Sequence, residues 1–262
     1  MENKRFLKVG DQVMIKRKTD GLDYDLEGGK TYQLCTDRWG DSIFFKLIDD
    51  LALPTKVYST EDEDKFIDKV LSRYDKTEQG VLGVMLSGLK GSGKTVMAKQ
   101  IAVKSNLPII IIDKSFSPRK LTELFQDLGD TEACFIFDEI DKLGEDYDDT
   151  FLLQVLDGAN TTGKKLMLFT CNNEDQINDC LIDRCSRIRY WRNFDELSAS
   201  MITKVLEDIL NDKDEVGALT DFIQENFGCV SFDNIVSFAN EVNDYPTDTY
   251  EDLFKDMNLS TK

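Results

Sequence analysis

The sequence predicts an α/β fold, with a parallel-sheet core, a helical C-terminal region and a small β-rich N-terminal domain. Three observations predict it. Short apolar runs at 81–86, 107–112, 133–137 and 166–169, with a weaker fifth at 188–191, alternate with stretches of helical spacing. Strands that are apolar on both faces belong to a parallel sheet covered on both sides. Beyond Arg192 the apolar residues keep helical spacing, whereas before residue 57 they alternate between Gly and Asp turn signals.

The elements run in that order. Residues 1–56 read as short strands, from Val9-Gly-Asp-Gln-Val-Met-Ile-Lys through Lys30-Thr-Tyr-Gln-Leu-Cys to Ser42-Ile-Phe-Phe-Lys-Leu-Ile, with Pro54 near the end. They suit either an independent small barrel or a β-extension packed on the α/β domain. Residues 57–193 form that α/β domain. It opens on Ser59-Thr-Glu-Asp-Glu-Asp-Lys-Phe-Ile, a capped helix start with acids in the first turn. Residues 194–262 carry three helical faces: Leu197, Met201, Val205 and Ile209; then Leu219, Phe222 and Ile223; then Phe232, Ile235, Val236 and Ala239. Pro246 ends that series, and an acidic tail comes after it with a helical pattern near 250–257.

Composition excludes several classes of chemistry. There is no histidine, so every mechanism that needs an imidazole is closed and a general base must be a carboxylate. Cys35, Cys134, Cys171, Cys180, Cys185 and Cys229 form no C-x-x-C pair, which argues against zinc. Cys134 and Cys171 sit in apolar runs and read as core residues. The net charge is −18, with residues 1–56 neutral, 57–193 at −6 and 194–262 at −12. Nucleic-acid binders show a basic face, so a nucleic-acid partner is not expected. The acidic C-terminal third reads either as a solvated surface or as a dock for a basic partner. No window approaches the ~18 apolar residues of a membrane span, and the first residues lack the run of a secretory signal. A cytoplasmic protein with no membrane partner is expected, in the host cytoplasm if a phage encodes it.

The strongest motif is Gly88-Leu-Lys-Gly-Ser-Gly-Lys94-Thr95, a G-x-x-x-x-G-K-T phosphate loop between the run 81–86 and a helix expected over 95–105. Gly88, Lys90, Gly91, Ser92, Gly93, Lys94 and Thr95 are the candidate ATP-binding residues. Such a loop presents backbone N–H groups and a helix N-terminus to phosphates. Lys94 reaches the β- and γ-phosphates, and the Thr95 hydroxyl ligates Mg²⁺. The second motif, Ala133-Cys-Phe-Ile-Phe-Asp138-Glu139-Ile-Asp141, ends a buried strand in two carboxylates, at the edge where open α/β sheets gather ligands. Asp138 holds the metal through water and Glu139 polarises the attacking water. Asp141 and Lys142 read as local capping or pairing residues. The third, Leu166-Met-Leu-Phe-Thr-Cys-Asn172-Asn173, ends another strand in amides that hold the nucleophilic water, sense the γ-phosphate, or simply form a turn.

These motifs, with Leu181-Ile-Asp-Arg184-Cys-Ser-Arg187-Ile-Arg-Tyr after them, succeed one another as in AAA+ ATPases, and residues 57–245 resemble that family. In detail Phe135-Ile-Phe-Asp-Glu-Ile-Asp-Lys and Arg184-Cys-Ser-Arg-Ile-Arg-Tyr are most similar to small bacteriophage AAA ATPases. The resemblance gives the first two motifs the names Walker A and Walker B. It implies a sensor 1 role for Asn172, and arginine-finger roles for Arg184 and Arg187 at a neighbouring subunit's γ-phosphate. It implies a homo-oligomeric ring, six subunits being the expected number, that remodels or threads a protein with a C-terminal helical lid. The alternatives are an ATP-dependent switch or assembly scaffold, then a nucleic-acid loader. One departure stands out: no arginine comes after Arg192, so the lid arginine of many AAA+ proteins is missing, and Val230-Ser-Phe-Asp-Asn opens the third lid helix. Phe116, in Asp113-Lys-Ser-Phe-Ser-Pro, is either an aromatic of a central pore or a staple against the next helix, near Leu121.

Overall fold

In the computed structural model, the described residues are 6–9, 11–15, 25–36, 43–48, 50–112, 116–142, 156, 163–174, 177, 188–194 and 196–262. Their strands form one nine-stranded sheet: β1 (Phe6–Val9), β2 (Gln12–Ile15), β3 (Thr31–Thr36), β4 (Ile43–Ile48), β5 (Gly80–Gly88), β6 (Ile109–Ile112), β7 (Ala133–Phe137), β8 (Lys164–Cys171) and β9 (Ile188–Phe194). The order across it is β1-β2-β4-β3-β6-β7-β8-β5-β9. Every pairing from β3·β6 through to β9 is parallel, while β1 to β4 pair with one another antiparallel. The expected α/β class with a parallel core is therefore present.

Of the two readings of residues 1–56, the structure has the extension. β3 lies alongside β6, with Thr31 opposite Ile109 and Gln33 opposite Ile111, so the first strands widen the core sheet. Phe6, Val13, Tyr32 and Phe45 share one apolar cluster with Phe125 and Phe135. Aromatic edges, such as Phe6 against Phe45 at 6.0 Å, fill that layer.

The period-two rule sorts the central strands between two apolar layers. Phe135, Phe137, Met167 and Phe169 face the first layer with α3 (Pro118–Leu128). Cys134, Ile136, Leu166 and Leu168 face the second, under α1 (Glu61–Asp75) and α2 (Lys94–Ser105). The start of α1 is a capping box: Thr60 Oγ1 accepts the Glu63 amide at 3.2 Å and Glu63 accepts the Thr60 amide at 2.7 Å. Burial pushes the Cys134 thiol far up, consistent with a core residue.

The C-terminal residues form α4 (Ala199–Ile209), α5 (Val216–Asn226), α6 (Phe232–Asp244) and α7 (Tyr250–Asp256) around a core of their own. Ser198, Ser231 and Thr249 cap α4, α6 and α7 through their hydroxyls. Phe227, Phe238 and Phe254 meet edge-on or tilted at the centre.

Phe116 is 4% exposed and belongs to the same apolar cluster as Leu121. With Ser117 as N-cap of α3, the two occupy the staple positions before and inside the helix. The pore reading of Phe116 gives way to the staple, because a side chain this buried offers no surface to a passing chain.

Candidate nucleotide site

The parallel order puts the C-terminal ends of β5, β8 and β7 side by side, with β8 in the middle. β5 runs into the loop 88–93, which turns directly into α2. Gly88 has φ 121°, and a Cβ there would stand 2.2 Å from the Phe194 carbonyl oxygen, which accepts the Leu89 amide at 3.1 Å. Only glycine allows that approach. Lys94 is 5% exposed and donates to the Gly88 and Leu89 carbonyls at 2.7 and 2.5 Å. Burial pulls its pKa down, and Cys171, Asp141, Asp138 and Glu139 nearby push it back up. Ser92 Oγ is buried without a hydrogen-bond partner, one of two such side-chain atoms among the described residues.

At the end of β7, Phe137 lies opposite Phe169, so the next rung sets Asp138 beside Thr170. The Thr170 hydroxyl donates to Asp138 Oδ1 at 2.6 Å and accepts the Glu139 amide at 2.8 Å. Thr95 donates to the same Asp138 oxygen at 2.9 Å, which joins the phosphate loop to the β7 end. Glu139 sits at φ 53°, in the left-handed region, which costs a side-chain-bearing residue about 1–2 kcal/mol. The Thr170 contact holds it there. Asn172 donates from Nδ2 to Glu139 Oε1 at 3.1 Å, and its amide donates to Asp141 Oδ1 at 3.0 Å. Lys142 Nζ lies 2.7 Å from the same Glu139 oxygen. Burial, with Asp141 close by, pushes the Cys171 thiol up to about 12, so it stays neutral beside these carboxylates.

These groups open on one cleft of about 560 Å³. Lys90, Gly91, Ser92, Gly93, Lys94, Thr95, Glu139 and Asn172 are among its polar lining, and Pro54, Val57, Tyr58, Phe232 and Val236 among its apolar lining. Tyr58 and Phe232 stack at 6.0 Å and 17°, linking the segment before α1 to the C-terminal helices. The Phe232 amide donates to the Gly91 carbonyl at 3.1 Å. Gly91 has φ 78°, and a Cβ on it would reach within 2.9 Å of Ser231 Cβ. The N-terminus of α6 thus abuts the phosphate loop through backbone, at the helix start that carries no arginine.

A nucleotide fits this cleft. The orphaned Ser92 hydroxyl and the buried ammonium of Lys94 suit phosphate oxygens, and the apolar side chains of the lining suit a planar base. Magnesium takes one or two protein oxygens and completes its shell with phosphates and water. Thr95 would supply one such oxygen, with Asp138 beside it to hold the metal through water.

Residues 84–193 match the model of the ATPase family associated with various cellular activities (AAA). The chain is similar to part of the mitochondrial inner membrane m-AAA protease component AFG3L2 of Mus musculus, at 30% identity over 38% of this chain and 15% of that protein. It is also 30% identical to the ATP-dependent zinc metalloprotease FtsH of Ureaplasma parvum, over 38% of this chain and 16% of that one. Protein CdcH of Halobacterium salinarum is 29% identical over the same shares. The chain spans less than a fifth of the length of these relatives.

The matched stretch includes the candidate residues from Gly88 to Asn172, whereas Arg184 and Arg187 lie outside the described residues. Three groups take roles at the site that the sequence alone does not assign. Thr170 stands two residues before Asn172 on the same strand face, and only the β7–β8 register reveals its partner. Asp141 reaches across to Asn172 and is not a local cap. Lys142 does pair locally, and its partner is Glu139.

Proposed function

We propose that this chain hydrolyses Mg-ATP in a ring of identical subunits, six being expected, and uses the energy to remodel or thread a protein. One observation carries the ATPase reading: Thr95, Asp138, Thr170, Glu139 and Asn172 form a single hydrogen-bonded array at the mouth of the phosphate loop. Lys94 neutralises the β- and γ-phosphates, and Thr95 and Asp138 hold the metal, directly and through water. Mg²⁺, when bound, spreads the charge of the transferred group. Glu139 accepts the proton of the attacking water, the one class of base open to a chain without histidine. Asn172 orients that water. Arg184, and with it Arg187, reaches the γ-phosphate of the neighbouring subunit and stabilises the charge that develops there.

A protein substrate is favoured by the names of the relatives, two of which are described as proteases. The acidic balance, −18 overall, supports the same choice over nucleic acid. The chain's own part is the ATPase. The similarity to small phage ATPases in the 135–142 and 184–190 phrases belongs to the same proposal. Among the described residues no helix is long and apolar enough to cross a membrane.

Three forms of the protein test the reading. The wild type should hydrolyse ATP. Lys94→Ala should lose nucleotide binding, and Glu139→Gln should keep binding while turnover falls about 10²–10⁴-fold. Native mass measurement of Glu139→Gln with ATP should show one closed ring size. Equal turnover in wild type and Glu139→Gln would remove Glu139 as the base.

A further inference from the structure

Lys94 and Thr95 open α2, and the cleft follows that helix beyond them. Gly93, Val96, Met97 and Gln100 all line it. Their sequence spacing makes them one stripe along the helix, with Gln100 one turn beyond Val96 and Met97. At 1.5 Å of rise per residue, Gln100 stands about 8 Å along the axis from Thr95. A nucleotide with its phosphates on residues 88–95 has its ribose and base to place against such a wall. The segment before α1 closes over the same stretch. Lys99, next to Gln100, donates from Nζ to the Ala52 carbonyl at 3.1 Å, and Pro54 and Val57 of that segment line the cleft.

Gln100 is the polar side chain of the stripe, and it is half-buried. Its side-chain amide makes no hydrogen bond among the described residues. Other polar side chains of the lining beyond the phosphate loop are engaged elsewhere. Glu63 accepts from Thr60 in the capping box, and Ser59 donates to Asp64 at 3.3 Å. Lys56 and Tyr58 both reach Asp208. Asp233 stands beside Gly91 of the phosphate loop, where its carboxylate can only accept. The Gln100 amide is thus free to pair with a ligand.

A primary amide carries N–H donors and a carbonyl acceptor side by side. Adenine presents the complement, its 6-amino donor next to the N7 acceptor, whereas guanine has two acceptors there, N7 and O6. We infer that Gln100 reads the base: its amide pairs with the 6-amino edge of adenine and sets a preference for adenine over guanine nucleotides. The inference rests on the ATPase reading above and adds which side chain selects the base.

Calorimetric titration of the full chain with magnesium and three diphosphates tests it. The ligands are ADP, GDP and purine riboside 5′-diphosphate, which differs from ADP only in lacking the 6-amino group. The wild type should bind ADP about 2- to 10-fold more tightly than the purine analogue, the usual worth of one hydrogen bond. It should bind ADP about 5- to 150-fold more tightly than GDP, the usual worth of a paired base edge. Gln100→Leu keeps the bulk and sheds the amide. Its ratio of ADP to analogue affinity should fall to near one, while the analogue's own Kd and the nucleotide-free melting temperature stay put. Gln100→Glu keeps an acceptor for the amino group and should still favour ADP over the analogue. A wild-type ratio retained in Gln100→Leu, equal weakening of all three ligands, or a wild type that binds GDP as tightly as ADP would each overturn the inference while leaving the ATPase reading intact. A wild type that binds none of the three would overturn both.

Discussion

The Thr170 hydroxyl, 2.6 Å from Asp138 Oδ1, also accepts the Glu139 amide, so one side chain fixes the Asp138 carboxylate and the backbone of the proposed base. Thr170 is 1% exposed and cannot be replaced there by water without a rearrangement.

Thr170→Val keeps the shape and deletes both hydrogen bonds. Leaving these partners unsatisfied should cost about 1–3 kcal/mol, read as a lower urea midpoint at an unchanged slope. Turnover should fall while nucleotide affinity is largely kept, since the phosphate loop is untouched. Thr170→Ser should recover most of both. A valine variant with wild-type kcat would mean that the Asp138–Glu139 geometry stands without this hydroxyl.

Phe116→Ala opens a hole in the first apolar layer at the start of α3. The expected loss is about 3–5 kcal/mol, with ATPase declining in step as the folded fraction falls. Circular dichroism melting alongside the ATPase assay checks it. Unaltered stability with lost action on substrate would return Phe116 to the pore.

Arg184→Ala should bind nucleotide normally and lose on the order of 10³-fold in turnover. If the arginine works across subunits, mixing these subunits with Lys94→Ala subunits should recover part of the activity. At some interfaces an intact Arg184 then faces an intact phosphate loop. Verified mixed rings with no recovery would place the arginine's action within its own subunit or nowhere.

The phosphate loop and the Asp-Glu strand were legible because their spacing is local: a strand, a Gly-rich turn and a helix succeed one another between Gly80 and Ser105. The central strands were legible from apolar runs, although β5 and β8 extend past them at both ends. Thr170 was not legible, since its role depends on which rung of β7 it meets. Lys142 was visible as a local pairing residue, but that its partner is Glu139 needed the 3₁₀ turn. The first strands alternate clearly, yet whether they close on themselves or join a neighbour depends on the pairing of Thr31 with Ile109, set far apart in sequence. The aromatic stack of Tyr58 on Phe232 spans a still longer separation and left no local signal.

The parallel join between β3 and β6 has a practical corollary. β6 is four consecutive isoleucines, and β3 covers one of its two hydrogen-bonding sides. A chain shortened to begin at residue 57 would bare that side as an uncharged, β-branched ribbon, the type of segment that templates strand addition between molecules. Such a fragment should precipitate or form fibrils even though it keeps the phosphate loop, because β3 no longer covers that side of β6.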